Sequence, residues 1–200
     1  MRKILKPYLG ANPKHIVQPF GVKQNKVAAE LSGLDFHTGI DLSFPHCYGT
    51  FLVAPEDCIV ANIVAPNRLV DEKEGKELLL KGYGIRMQSI VEPDLFYVYW
   101  HTLPVFPVNV GDKVKRGQIV AQIGNSGIVI SSNGFVPVEL RTRPPYDGSH
   151  LHYEIYRWVN NKKEYIDPSS MIDWNSPVEL DWISATKQIL FKISNILKNR

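Results

Sequence analysis

Residues 147–157 read DGSHLHYEIYR, and whether this stretch is a helix or a strand decides the fold. Two histidines flank a leucine and apolar and polar residues alternate after them, which is the period-two pattern of a β-strand. As a strand it sends His150 and His152 to one face about 6–7 Å apart, and Leu151 and Tyr153 to the other. The chain has six histidines, and two placed in this way offer a metal or proton-transfer site, or else an exposed strand that carries two polar residues. Other residues have to separate these readings.

The same strand signature recurs along the chain. The runs GTFLVAPEDCIVANIVAP (49–66), GYGIRMQSI (82–90), LFYVYWHTL (95–103), KRGQIVAQIGNSG (115–127) and SHLHYEIYRWV (149–159) are rich in β-branched and aromatic residues and end at Gly, Pro, Asn or Asp. The fold class they predict is mainly β, an antiparallel β-sheet domain. At 200 residues and 44% hydrophobic, the chain is long enough for one globular domain that buries its own core without a disulfide framework. Cys47 and Cys58 lack Cys-x-x-Cys spacing, so a cysteine-ligated zinc site is not expected, and either two lone thiols or one bridge is compatible with the sequence.

Charge narrows the partners. The 23 basic and 20 acidic residues leave a net charge of +3 with no dense basic stripe interleaved with aromatics, so nucleic acid is not an expected partner, whereas an anionic wall polymer is compatible. The start, MRKILKPYLGANPK, breaks at Pro7 and Gly10 before an apolar h-region develops, so no signal peptide is expected. No apolar run reaches the ~20 residues of a membrane-spanning helix.

Three segments stand apart from the strand pattern. NRLVDEKEGKELLLK (67–81) reads as a hairpin or surface loop, and 130–147 reads as a long, proline-punctuated excursion. In the last segment, 177–200, Trp182, Ile189, Ile193 and Ile196 recur at helical steps among Lys187, Lys192, Lys198 and Arg200. That is an amphipathic helix, expected to pack on the β domain, to meet a partner or a second copy, or to lie on a membrane surface.

A second constellation bears on the tandem histidines. In LDFHTGIDLSFP (34–45) His37 and Asp41 lie four apart across Gly39, whose backbone freedom is expected to let the chain turn so that imidazole and carboxylate converge. The apolar run LFYVYW ends in His101. His37, Asp41 and one of the tandem histidines make three ligands, with two histidines to spare, which is the inventory of a catalytic zinc site that keeps one position open for water.

In these motifs and their order the sequence resembles the lysostaphin-type, or LytM-like, zinc metallopeptidases that cut peptide bonds in bacterial peptidoglycan. FHTGIDL (36–42) is similar to the family's first zinc motif, YVYWHTL (97–103) to its middle histidine motif, VGDKVKRGQIVAQIGNSG (110–127) to its glycine-rich hairpin segment, and HLHYE (150–154) to its terminal His-x-His strand; VQPFG (17–21) and YIDP (165–168) also fit. The resemblance implies a LytM-like, duplicated-hybrid-motif domain over 18–176 with an insertion at about 130–147, an N-terminal extension over 1–17 and the C-terminal helix over 177–200. It implies Zn2+ as cofactor, held by His37, Asp41 and His152, with His101 and His150 as the unligated catalytic pair, and bacterial peptidoglycan peptides as substrate. It also implies action at the cell wall, and the lack of a visible exit signal is then explained by release by lysis, by carriage in a phage particle, or by a shortened sequence.

The sequence departs from the family pattern in places. Thr102 stands where a leucine commonly follows the middle histidine, and the excursion 130–147 replaces a short turn, so the groove rim is expected to differ. Within the excursion, Arg141 and Arg143 are expected to meet wall-peptide carboxylates and Tyr146 to pack on a sugar or peptide. Two other classes remain. A wall-binding or structural component, for example of a phage tail, would keep the pocket without turnover. A biotinyl- or lipoyl-type carrier would explain GDKVKRGQIVAQIG but not the histidines, and no lysine stands at a hairpin tip between the expected neighbours.

Overall fold

The structure is a computed structural model and describes residues 2–64, 81–131, 134–179 and 186. Of the loop expected over 67–81 only Lys81 is among them, and the helix expected over 177–200 lies outside them apart from 177–179 and Thr186. In chain order the strands are β1 (Ile4–Leu5), β2 (Ile16–Gln18), β3 (Gly39–Leu42), β4 (Phe51–Val53), β5 (Cys58–Val64), β6 (Gly84–Ser89), β7 (Leu95–Trp100), β8 (Lys113–Val114), β9 (Ile119–Gln122), β10 (Ile130–Ser131), β11 (Gly134–Phe135), β12 (Leu151–Val159), β13 (Lys162–Ile166) and β14 (Ile172–Asp173). The short helices are α1 (Lys26–Ser32), α2 (Val138–Arg141) and α3 (Pro168–Met171).

Antiparallel pairing builds an eight-stranded sheet in the order β2-β3-β12-β7-β6-β5-β8, with β13 also paired to β12. The stretch that decided the fold is therefore its central strand: β12 pairs with β3 and β13 along one edge and with β7 along the other. Ile40, Leu42, Tyr99, Leu151, Tyr153 and Ile155 are buried on one side of this sheet, in a cluster that includes Leu52 and Ala121 of the separate β4–β9 ladder. Side chains at alternate positions, among them Val98, Trp100 and Tyr156, are buried as a second cluster, so both faces of β12 are covered. The polar residues of this strand are thus not an exposed face.

Proline and the packing of strands set the finer boundaries. The run 49–66 splits into β4 and β5 around Pro55, which has no N–H to give to a ladder and whose carbonyl instead accepts from Leu5 N at 2.9 Å. Cys47 and Cys58 are both buried and free, Cys58 in β5, so the two lone thiols are what the fold uses. Gly39 opens β3 opposite Glu154, and it is not the flexible turn expected of it. A Cβ there would lie 2.2 Å from the Tyr153 carbonyl oxygen, so the residue serves the close approach of β3 to β12.

The excursion is ordered where the structure describes it. β10 and β11 form a hairpin, α2 follows, and Arg141 folds back so that its guanidinium donates to the carbonyls of Asn125 and Gly127 while Asn125 Nδ2 donates to Arg141 O at 3.0 Å. Arg141 is therefore a clamp on the loop before β12. Tyr146 stacks on Tyr48, ring centroids 4.0 Å apart.

Candidate active site

β3 and β12 bring the first two groups together by register. Asp41 stands directly opposite His152 in the antiparallel ladder, and Asp41 Oδ1 lies 2.8 Å from His152 Nδ1. His37, just ahead of β3, is held by backbone bonds with the preceding segment: its N–H donates to Val22 O and its carbonyl accepts from Gly21 N. This places His37 Nε2 at 2.9 Å from His152 Nδ1 and 3.2 Å from Asp41 Oδ1. Among the described residues, His37, Asp41 and His152 form a group whose ligand atoms all lie within 4.8 Å of one another.

The partners on the far side of each ring decide which nitrogens face inward with a lone pair. His37 Nδ1 is 2.9 Å from the Pro19 carbonyl, which only accepts, so Nδ1 carries the hydrogen and Nε2 is left as a donor of electrons. His152 Nε2 is 3.1 Å from Glu154 Oε1, so Nε2 carries the hydrogen and Nδ1 is aimed at Asp41 and His37. Two lone-pair nitrogens and a carboxylate oxygen converging on one point are the chemistry of a cation site, and their hardness suits zinc.

Without a metal the same charges hold a proton. Burial would lower His152, but hydrogen bonds to Asp41 and Glu154 outweigh it and raise its pKa to about 9. Burial would raise Asp41, but the neighbouring His150 and the hydrogen bonds from His152 and His37 hold it well below the usual carboxylate range. A cation at the convergence point would take over the role of that proton.

His101 and His150 stand beside this group, and a glycine joins them. Gly124 N donates to His101 O at 3.0 Å, His150 N donates to Gly124 O at 3.2 Å, and a Cβ on Gly124 would lie 2.9 Å from that same His101 oxygen. His101 takes a left-handed backbone conformation, φ 58°, immediately after β7. Strand alternation would have sent it away from the face of Trp100, and the left-handed turn instead sets its ring centroid 4.4 Å from His150 and 6.2 Å from His152. Thr102, the departure from the family pattern, is buried and bridges to Ile123 without disturbing this placement.

Both rings of this pair are also fixed in tautomer. His101 Nδ1 lies 2.7 Å from Ser126 O and His150 Nδ1 lies 2.8 Å from Gly148 O, so each keeps Nε2 as the acceptor nitrogen. Burial, and after it the neighbouring imidazoles of His150 and His152, push His101 well below the usual imidazole range, so it is neutral near pH 7. A groove opens over the five residues, lined also by Gln18, Ala28, Ser32, Lys81, Ile128 and Ile130.

The structure thus gathers all five residues expected from the sequence, His37, Asp41, His101, His150 and His152, around one groove. Sequence reasoning missed the residues packed around His152: Glu154 and Trp100, and Lys81 and Thr38, which also line the groove. Glu154 had a signal, since the period that places His150 with His152 also reaches residue 154. Lys81, at the end of a charged run, had none.

No curated protein matches the chain. Solved structures share its fold, three of them as follows. LytU is 26% identical, with a TM-score of 0.51 over 80% of this chain and 86% of its own. A zinc-containing peptidase from Vibrio cholerae is 19% identical, with a TM-score of 0.52 over 82% of this chain, and Helicobacter pylori Csd3 is 18% identical, with a TM-score of 0.52 over 100% of it. The chain spans only 39% of the first of these two and 42% of the second. The model of Peptidase family M23 matches residues 35–168, which takes in His37, Asp41, His101, His150 and His152, and the chain therefore belongs to peptidase family M23.

Proposed function

We propose that the protein is a zinc-dependent endopeptidase that hydrolyses peptide bonds of bacterial peptidoglycan, in the stem peptide or the cross-bridge, and that it acts at the cell wall. The observation that carries this reading is the convergence of His37 Nε2, His152 Nδ1 and Asp41 Oδ1, with a second histidine pair alongside that is not needed as ligands. Family membership and the fold shared with LytU support it.

In this reading His37, Asp41 and His152 hold the metal. When bound, zinc supplies Lewis acidity and makes water a usable nucleophile near neutral pH. His101, neutral and anchored on Ser126 O, presents Nε2 as a proton acceptor in the groove, and His150 presents a second imidazole beside it. One of them takes the proton of the attacking water, and the imidazolium so formed, now a donor at Nε2, stabilises the negative charge that develops on the carbonyl oxygen and returns the proton to the leaving amine. Wall peptides have small or D-configured residues, so recognition rests on backbone groups along the groove more than on a deep side-chain pocket. We assign one side of that groove to the start of the excursion, through Ile130.

Incubation of zinc-loaded protein with purified sacculi tests the proposal. New amino groups and soluble muropeptides are the expected products, lost with a chelator and restored by zinc. Tight binding to sacculi with no new amino groups from any wall type would favour the wall-binding, non-hydrolytic reading instead.

A further inference from the structure

Glu154 lies behind His152, and its side chain is sealed from solvent, about 1% exposed. Among the described residues, every hydrogen bond its carboxylate makes is with a donor. Oε1 accepts from Lys81 Nζ at 2.6 Å, from the Thr38 hydroxyl and from His152 Nε2 at 3.1 Å, and Oε2 accepts from Trp100 Nε1 at 3.0 Å. Lys81 is itself buried, its side chain 7% exposed, and its ammonium also lies 5.2 Å from the centre of the Trp100 ring. The backbone of the same residue reaches the other half of the site, because Lys81 O accepts from His101 N at 3.1 Å.

We propose that Lys81 is a positioning residue of the metal centre that acts through Glu154; the inference rests on the reading of His152 as a metal ligand. A carboxylate removed from water is tolerated when a cation and hydrogen bonds compensate it, and Lys81 brings the ammonium. By sharing Oε1 with Thr38 and His152, the ammonium fixes the carboxylate in the one orientation that receives the Nε2 hydrogen of His152. That contact turns the ring so that Nδ1 faces Asp41 and His37. Without the ammonium the carboxylate loses its charged donor and is free to turn towards Trp100, and the ring of His152 loses the acceptor that aims it.

The test is zinc affinity, measured by competition with a chelator on the full chain, for the wild type, Lys81→Met, Glu154→Gln and the double variant. Lys81→Met is expected to weaken zinc binding about 10- to 100-fold, the usual effect of disturbing a partner behind a ligand. In the Glu154→Gln background the same change is expected to alter affinity less than about twofold, because the carboxylate through which Lys81 reaches His152 is gone. A general structural role would weaken binding equally in both backgrounds, and that result would overturn the inference, as would Lys81→Met binding zinc as tightly as the wild type or more tightly. The double variant removes both charges of this pair, so if Lys81→Met alone does not fold, the comparison of Glu154→Gln with the double variant still decides. A wild type that takes up no zinc defeats the peptidase reading itself; a wild type that binds zinc, with Lys81→Met unchanged, defeats only this inference.

Discussion

His37 Nε2 and His152 Nδ1 face each other at 2.9 Å, and the other nitrogen of each ring is committed to an oxygen, Pro19 O for His37 and Glu154 Oε1 for His152. Two imidazoles oriented from behind in this way leave their lone pairs pointing at one place. Asp41, opposite His152 in the ladder, adds the carboxylate. The pairing of β3 with β12 therefore builds the centre, and the chemistry follows from the register.

The division between ligands and spare histidines predicts separable phenotypes. His101→Ala and His150→Ala should each retain zinc and the fold while lowering turnover by about 10²- to 10⁴-fold, the usual contribution of a positioned acid–base or oxyanion group. Metal content and sacculus hydrolysis measured on the same preparations check this. Loss of zinc from either variant contradicts the assignment, and wild-type turnover in His150→Ala contradicts the mechanism.

Zinc affinity should depend on pH with a known sign. His152 in the metal-free protein is raised from 6.5 to about 9, so binding below that range displaces one proton from Nδ1. Affinity should fall about tenfold per unit as the pH drops below about 9 and flatten above it. The metal-free fold has the opposite dependence: the stabilisation from protonated His152 is complete below 6.5 and is lost as the pH rises through about 9. Chelator competition across neutral pH checks the first statement, and an affinity that does not change between about pH 6 and about pH 8 contradicts it.

The sequence carried the site further than it carried the reasons for the site. Period-two alternation in HLHYE made β12 legible and grouped His150 with His152, because a strand has one simple rule for which residues share a face. The sequence did not show that both faces of that strand are buried, since burial of a polar face requires partners from elsewhere, here Lys81, Trp100 and Thr38 around Glu154. Gly39 was legible as important but for the wrong reason: a glycine that yields space to the Tyr153 carbonyl has the same sequence signature as one that turns. His101 was found by its motif, while the left-handed conformation that delivers its ring to the site depends on Lys81 O and Gly124, which are distant in sequence.

Arg141 illustrates the same point and supplies another prediction. A sequence reading makes it a hand for substrate carboxylates, whereas its guanidinium is spent on the carbonyls of Asn125 and Gly127. Arg141→Ala should loosen the excursion without emptying the metal site: proteolytic nicking between 130 and 147 should increase, and the rate of wall cleavage should fall while zinc content is unchanged. Unchanged nicking and cleavage in that variant would mean that neither the clamp nor the wall it holds matters to the substrate.

The central claim is that His37, Asp41 and His152 hold one zinc per chain, and metal analysis of the wild type beside His152→Ala tests it most directly. The wild type, purified and dialysed against trace zinc, is expected to carry one equivalent, and His152→Ala to carry close to none while its circular dichroism still reports the β fold. Full zinc occupancy in His152→Ala, or no zinc in the wild type, would contradict the account.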